Sequence, residues 1–172
     1  MPKPMSIIKN LLLVSFILLN MNLVNAEEIK KVLKNKDWEA YVVNNKNGKI
    51  CFAQSVPILQ APKKNTREAR LFVTFRPNEK ISDEISITSG YEYNKKNSIM
   101  ARSGKYKYKF DISQDNFAWI ANNTKEKKMI KTMKRGSRIM VTGYNQKGSQ
   151  TIDHYSLLGF TKAYNSAKKS CS

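Results

Sequence analysis

The sequence contains little of what catalytic and metal-binding sites usually require. Its 172 residues include one histidine, two cysteines and 13 acidic residues, and two cysteines with one histidine are too few ligands for a zinc site. A phosphate-binding glycine loop, a dinucleotide glycine pattern, a CxxC pair and an HExxH motif are all absent. The sequence therefore gives no reason to expect an enzyme, a cofactor or a bound metal ion.

Long hydrophobic runs are also missing. The most apolar run, Leu11–Leu19, falls well short of the roughly 20 residues that span a bilayer, which argues against a transmembrane anchor. Lysines precede this run and small residues follow it, so residues 1–26 are predicted to be a signal peptide cleaved between Ala26 and Glu27. We therefore expect an exported protein of the periplasm, the outer envelope or the cell exterior, with no membrane span after cleavage.

Acidic residues are scarce beside basic ones. The chain has 31 Lys and Arg residues against 13 acids, a formal net charge of +18, and only six of the basic residues are arginine. Recognition of bases favours the arginine fork over the point charge of lysine, so nucleic acid is not the expected partner. The excess is typical of a solvated surface. In an exported protein, such a surface can also bind lipid head groups, lipopolysaccharide or an acidic envelope protein.

Both cysteines, Cys51 and Cys171, lie in the part of the chain that follows the predicted signal peptide. An oxidising compartment favours a disulfide between them. A pair of buried free thiols and a metal site are the alternatives, and the metal site lacks ligands. The bond would join an early strand to the C-terminus, and closing a loop of about 100 residues stabilises a fold by about 4.7 kcal/mol in the chain-entropy model.

Short alternating runs, typical of half-buried strands, dominate the chain. Trp38, Ala40 and Val42 share one face, and residues 69–76 are apolar on both faces, which predicts a central strand. In residues 105–112 lysines alternate with aromatic side chains. The aromatic face is predicted to lie in the core, and it consists of Tyr106, Tyr108 and Phe110.

Two segments change to a helical period. Met129, Ile130 and Met133 form one stripe, with Glu126 near the start of the predicted helix. The second helix lies at the C-terminus, where its stripe directs Cys171 inward; the stripe consists of Phe160, Tyr164, Ala167 and Cys171. We predict an all-β fold, an antiparallel β-sandwich or a partly closed barrel of seven to nine short strands with two short helices. Residues 27–36 form a short lead, and 37–172 form a single domain.

Few polar side chains suggest a site. Asp153, His154 and Ser156 are the residue types of a hydrolytic triad, but on a strand Asp153 points away from His154 and cannot orient its ring. Arg76 and Glu84 flank a turn and are expected to form an ion pair that closes it, with a ligand-binding pair as the alternative. The candidate polar site residues are thus Arg76, Glu84 and Asp153, and no catalytic residue is assigned.

Five stretches, in order, carry a resemblance to a known family. They are DWEAYV around Trp38, KICFAQSVP around Cys51, LFVTFRPNEKISDEISITSGY around Arg76, AWI at Trp119, and MKRGSRIMVTGYNQKGSQTIDHYSLLGF ending at Phe160. Most of residues 36–171 thereby resembles the invasion-associated locus B family of alphaproteobacterial envelope proteins. The last stretch is the most specific.

The resemblance implies an exported all-β domain without known catalytic residues. It also implies an alternative function, a surface-exposed adhesin or invasion factor acting on host cells, because members in blood-borne pathogens are linked to red-cell entry. Members typical of those pathogens have more cysteines in their N-terminal strands. With only Cys51 and Cys171, the chain resembles a shorter, single-disulfide branch.

Overall fold

The computed structural model describes residues 28–63 and 66–172. The predicted signal peptide and its cleavage site, between Ala26 and Glu27, lie outside the described residues. Within the described part the chain forms twelve strands, two α-helices and one short 3-10 helix, Pro77–Glu79, so the all-β prediction with two helices is confirmed. The predicted count of seven to nine strands was too low, because several strands have only three residues and are too short to show a period.

The elements follow one another in this order. The strands are β1 (Glu28–Asn35), β2 (Trp38–Asn45), β3 (Gly48–Ser55), β4 (Leu59–Ala61), β5 (Ala69–Arg76), β6 (Ile81–Ser89), β7 (Ile99–Ser103), β8 (Tyr106–Phe110), β9 (Ile112–Gln114), β10 (Phe117–Trp119), β11 (Arg138–Tyr144) and β12 (Gln150–Ser156). The helices are α1 (Asn123–Arg135) and α2 (Phe160–Ser170).

Two open antiparallel sheets build the domain. The larger has the order β1-β2-β3-β5-β6-β10-β9, and the smaller has the order β4-β12-β11-β7-β8. Strand β5 is the fourth of seven, as its two apolar faces predicted. The sheets do not close into a barrel, so the sandwich is the alternative that the structure supports.

One core joins both sheets and both helices. Trp38, Ala40 and Val42 of β2 are buried on one face, as their alternation predicted. The Trp38 indole N–H donates to the Ser156 carbonyl at 2.9 Å, which satisfies the polar end of the ring and links the two sheets.

The C-terminal helix is fixed to the larger sheet at both of its ends. At its start, Gly159 has φ +93°, and a Cβ there would lie 1.9 Å from the Asn35 carbonyl oxygen, so only glycine fits. At its end, the predicted disulfide is present, with the Cα atoms of Cys51 and Cys171 5.8 Å apart. Helix α2 therefore covers the core-facing side of the larger sheet.

Of the three aromatic residues predicted for the core of β8, one lies outside it. Phe110 is buried and Tyr108 is half-buried against the core, but Tyr106 is 51% exposed. Strand β8 is the edge of the smaller sheet, and its first residue extends past the core that covers Phe110. Alternation reports which face a side chain occupies, but not whether another element covers that face.

Candidate anion-binding cleft

The predicted Arg76–Glu84 ion pair forms at the β5–β6 hairpin. Arg76 Nη2 lies 2.9 Å from Glu84 Oε2, and Arg76 Nε lies 3.1 Å from Glu79 Oε2. All three side chains are partly exposed. Beside them is a cleft of about 610 Å³ whose lining mixes charges of both signs, including Lys80 and Glu126. Because the Arg76 charge is already neutralised by Glu79 and Glu84, the geometry of this pair fits an ion pair that closes the turn.

Asp153 has different partners. It is fully buried on β12 and binds the Arg67 guanidinium through both carboxylate oxygens, at 2.7 and 3.0 Å. Arg67 also donates to the Ser89 carbonyl at 2.9 Å, and Gln60 donates to Asp153 at 3.3 Å. The pair thus links the smaller sheet to β6 of the larger one.

The triad-like residues make no triad. Because the Asp153 carboxylate is taken up by Arg67, it does not orient the His154 ring, whose buried Nδ1 has no hydrogen-bond partner among the described residues. Ser156 Oγ accepts a hydrogen bond from the Leu158 N–H at 3.2 Å. These contacts agree with the opposite side-chain directions expected on a strand.

A strongly charged concavity was not singled out by sequence reasoning. It has a volume of about 710 Å³ and lies between the start of β8, the C-terminal half of α1 and the start of β11. Five cationic side chains line it and, among the residues that the structure describes, no carboxylate does. They are Lys107, Lys128, Lys131, Arg135 and Arg138. We refer to this concavity as the basic cleft.

Helical spacing places three of these cations on the cleft. Lys128, Lys131 and Arg135 are three and four residues apart, so they lie along one side of α1. Tyr108 fixes that side against β8: its hydroxyl donates to the Lys128 carbonyl at 3.3 Å and lies 2.6 Å from Thr132 Oγ1. The strand and the helix are therefore held as two walls of the basic cleft.

Close packing around Gly136 positions the start of β11 at the basic cleft. A Cβ at this residue would lie 3.0 Å from both Leu157 Cδ1 and Ser103 Oγ, which leaves little room for a side chain. Ser103 Oγ also donates to the Arg138 carbonyl at 2.9 Å. The short connection from α1 to β11 keeps Arg135 and Arg138 on the same concavity.

The charges of the basic cleft are not neutralised by the protein. Among the described residues none of its five cations takes part in an ion pair, whereas Arg67, Arg70 and Arg76 elsewhere each bind a carboxylate. Lys107 also lies directly across from Arg102 of β7, and like charges in that position destabilise a sheet.

A concavity lined by one sign of charge concentrates counter-ions. Its chemistry suits an anion, above all phosphate, which lysine and arginine both bind. Metal chemistry has no comparable support, because the described ranges contain no group of three or more histidine, cysteine or acidic side chains that could hold a metal ion.

One local feature of the sequence indicated a basic surface at this cleft. The helix-to-strand segment 127–138 has many basic residues and no acid, but its charges could equally have been spread over a solvated face. Arg67 gave no such signal, because 86 residues separate it from Asp153. Only the fold brings those two residues together.

Comparison with known proteins identifies the family. The sequence profile described as "Invasion associated locus B (IalB) protein" matches residues 38–168, well over half of the chain. No curated protein matches significantly, and neither does any solved structure. In the described part of the chain, both helices are too short or too polar to cross a bilayer. The chain belongs to the invasion-associated locus B family of envelope-associated proteins.

Proposed function

We propose that this chain is a non-catalytic, exported envelope protein whose basic cleft binds anionic envelope components, namely lipid head groups or lipopolysaccharide, in the periplasm or outer envelope. Five cations without a protein counter-charge, gathered in one concavity, are the observation on which the proposal rests. Family membership and the Cys51–Cys171 disulfide support export. An acidic envelope protein is the competing partner.

Electrostatics favours an anionic surface as the ligand. Each lysine or arginine near such a surface contributes about 1 kcal/mol, and the attraction falls off within a Debye length of about 8 Å at physiological ionic strength. The repulsion among the five cations is relieved when an anion enters. Binding should therefore be strong at low salt and weaken as salt rises.

Vesicle flotation tests this proposal. The purified mature protein should float with phosphatidylcholine vesicles that contain phosphatidylglycerol, and not with phosphatidylcholine alone. The variant K107Q/K128Q/K131Q should bind about 100-fold more weakly, since three contributions of about 1 kcal/mol are lost. Flotation at low and at physiological salt completes the measurement.

A matched variant separates the basic cleft from net charge. K30Q/K46Q/K147Q removes the same charge from exposed lysines outside the cleft, and it should bind almost as the natural protein does. Equal losses in both variants would mean diffuse attraction without a site. Binding that ignores salt, or no binding to any anionic vesicle, would point to a protein partner instead.

A further inference from the structure

The basic cleft carries more than charge. Tyr106 lines it with its ring about half exposed, and the Tyr106 hydroxyl makes no hydrogen bond within the described residues. Taking the proposed function as its basis, we propose that the cleft binds a phosphorylated saccharide, with phosphate on its cations and a sugar ring on Tyr106.

Two arginines provide the phosphate end of this site. Arg135 and Arg138 flank Gly136 on the connection from α1 to β11, and neither is bound to a carboxylate in the described part of the chain. A guanidinium offers paired N–H donors that match two phosphate oxygens at once. These two forks are therefore free for an external anion.

The cations are spread over a length that one phosphate does not fill. Lys128 and Arg135 are seven residues apart on α1, which at 1.5 Å per residue is about 10 Å along the helix axis. A cleft of about 710 Å³ is within the usual size of small-molecule sites. A ligand with an anionic group near each end and a sugar-sized body between them fits this spacing.

Tyr106 supplies a surface for that body. The face of an aromatic ring carries partial negative charge, and the C–H bonds on one face of a pyranose carry partial positive charge. The two faces therefore attract each other and exclude water. The Lys105 ammonium lies 5.7 Å from the centre of the ring, which adds another cation beside the ligand.

Concavity distinguishes this ligand from a flat membrane. Ser103 and Gly136 line the basic cleft together with its cations, and a discrete head group that projects from a bilayer can enter such a concavity, whereas the flat surface cannot fill it. Inorganic phosphate would fit, but it gains nothing from the tyrosine ring.

Isothermal titration calorimetry at low salt tests the inference on the mature protein. The probes are a glucosamine disaccharide bearing a phosphate at each end, the same disaccharide without phosphate, and inorganic pyrophosphate. We expect the bisphosphorylated disaccharide to bind at least 10-fold more tightly than pyrophosphate, and the unphosphorylated sugar to show no measurable binding.

Variants at the tyrosine give the decisive comparison. Y106A should weaken binding of the disaccharide several-fold more than binding of pyrophosphate and so reduce the preference, and Y106F should keep the preference. R135Q/R138Q should weaken both phosphorylated probes by 10-fold or more. R70Q, which removes an arginine outside the cleft, should change neither.

Equal affinity for pyrophosphate and the disaccharide, or equal losses of both in Y106A, would overturn the saccharide assignment and leave the proposed anion-binding function standing. No binding of any phosphorylated probe, together with failed flotation, would remove both. A vesicle carrying the acylated form of the same disaccharide identifies the source, because tighter binding than to the soluble form assigns a lipid-linked head group.

Discussion

Glu126 shows how one buried carboxylate joins a helix to a sheet. It lies in the first turn of α1 and is only 5% exposed. Its Oε1 accepts the Ile85 N–H of β6 at 2.9 Å, and its Oε2 accepts from Asn123 Nδ2 at 3.3 Å. Burial raises the pKa of Glu126, with smaller contributions from the charges of Glu84 and Asp83. The ionised form is therefore disfavoured in the folded state.

The sign of the resulting pH dependence follows from linkage. A carboxyl whose pKa is higher in the folded state contributes stability below its unfolded pKa and loses that contribution as pH rises through the folded pKa. Glu126→Gln keeps an acceptor for the Ile85 N–H and removes the charge, so the loss above the pKa of Glu126 should disappear. The free energy of urea unfolding, measured from pH 4 to 8 for both proteins, checks this. A parallel pH profile for the variant would contradict it.

Glu39 has the opposite dependence. Hydrogen bonds from Lys31 at 2.8 Å and Tyr41 at 2.6 Å, with Lys34 at 3.2 Å, lower its pKa to about 2. Its contribution is present above the unfolded pKa and is lost as pH falls through the folded one. Glu39→Gln should therefore flatten the acid limb of the stability curve, whereas Glu126→Gln flattens the limb at higher pH.

Both side chains of the Arg67–Asp153 pair are almost completely shielded from solvent. Removing one partner should therefore lower the free energy of unfolding substantially. In Asp153→Asn the Arg67 charge remains buried without a counter-charge, which should lower the free energy of unfolding by about 3–5 kcal/mol. Arg70→Gln breaks the exposed Arg70–Glu68 pair and should change it by less than about 1 kcal/mol. Urea unfolding measures both variants, and similar losses in the two would refute the distinction.

Helix α2 is held in place by contacts of several kinds. The Phe160 ring lies 4.8 Å from that of Trp38, and the Tyr164 hydroxyl donates to Asp83 Oδ1 at 2.6 Å. The Cys51–Cys171 disulfide closes the far end. Because aromatic packing and a hydrogen bond remain without the disulfide, α2 should stay docked after reduction, but in a less stable domain.

Reduction of the disulfide should therefore lower stability without changing the fold class. The bond joins residues 120 positions apart, and native disulfides of this kind usually contribute about 2–4 kcal/mol. We expect Tm to fall by about 10 °C in reducing buffer while the far-UV circular dichroism spectrum of the folded protein is retained.

The variant C51A/C171A serves as the control, since its Tm should be low already and insensitive to reductant. Mass spectrometry of envelope-derived protein, alkylated without reduction, should give a linked peptide containing both cysteines. Two alkylated thiols would contradict the bond in the cell.

Elements with a clear hydrophobic period could be predicted from the sequence, but the elements that pack against them could not. The buried stripe of α1, consisting of Met129, Ile130 and Met133, was confirmed, because side-chain direction in a helix follows from spacing alone. The exposure of Tyr106 and the pairing of Arg67 with Asp153 depend on which elements meet in space. One sequence does not encode strand order in any local pattern, so the basic cleft, built from three separate elements, could not be predicted.

Two surfaces on different sides of the domain differ in chemistry. The basic cleft lies beside the smaller sheet, at its β8 edge. On the face of the larger sheet away from the core, neighbouring aromatic rings lie 5.3–6.2 Å apart in a row formed by Tyr41, Phe52, Phe72, Phe117 and Trp119. An anion bound in the basic cleft would therefore leave this aromatic row uncovered.

The mature protein is predicted to begin at Glu27. Strand β1 begins at Glu28 and pairs with β2 as far as Glu28↔Asn44. Cleavage between Ala26 and Glu27 would leave this strand complete, whereas a cut a few residues later would remove pairing from the sheet edge. N-terminal sequencing of protein taken from the envelope should therefore begin at Glu27. Replacing the small residue at the cleavage site, Ala26→Tyr, should leave a larger, unprocessed species. A retained Met1 in the natural protein would contradict both export and the oxidising compartment that favours the disulfide.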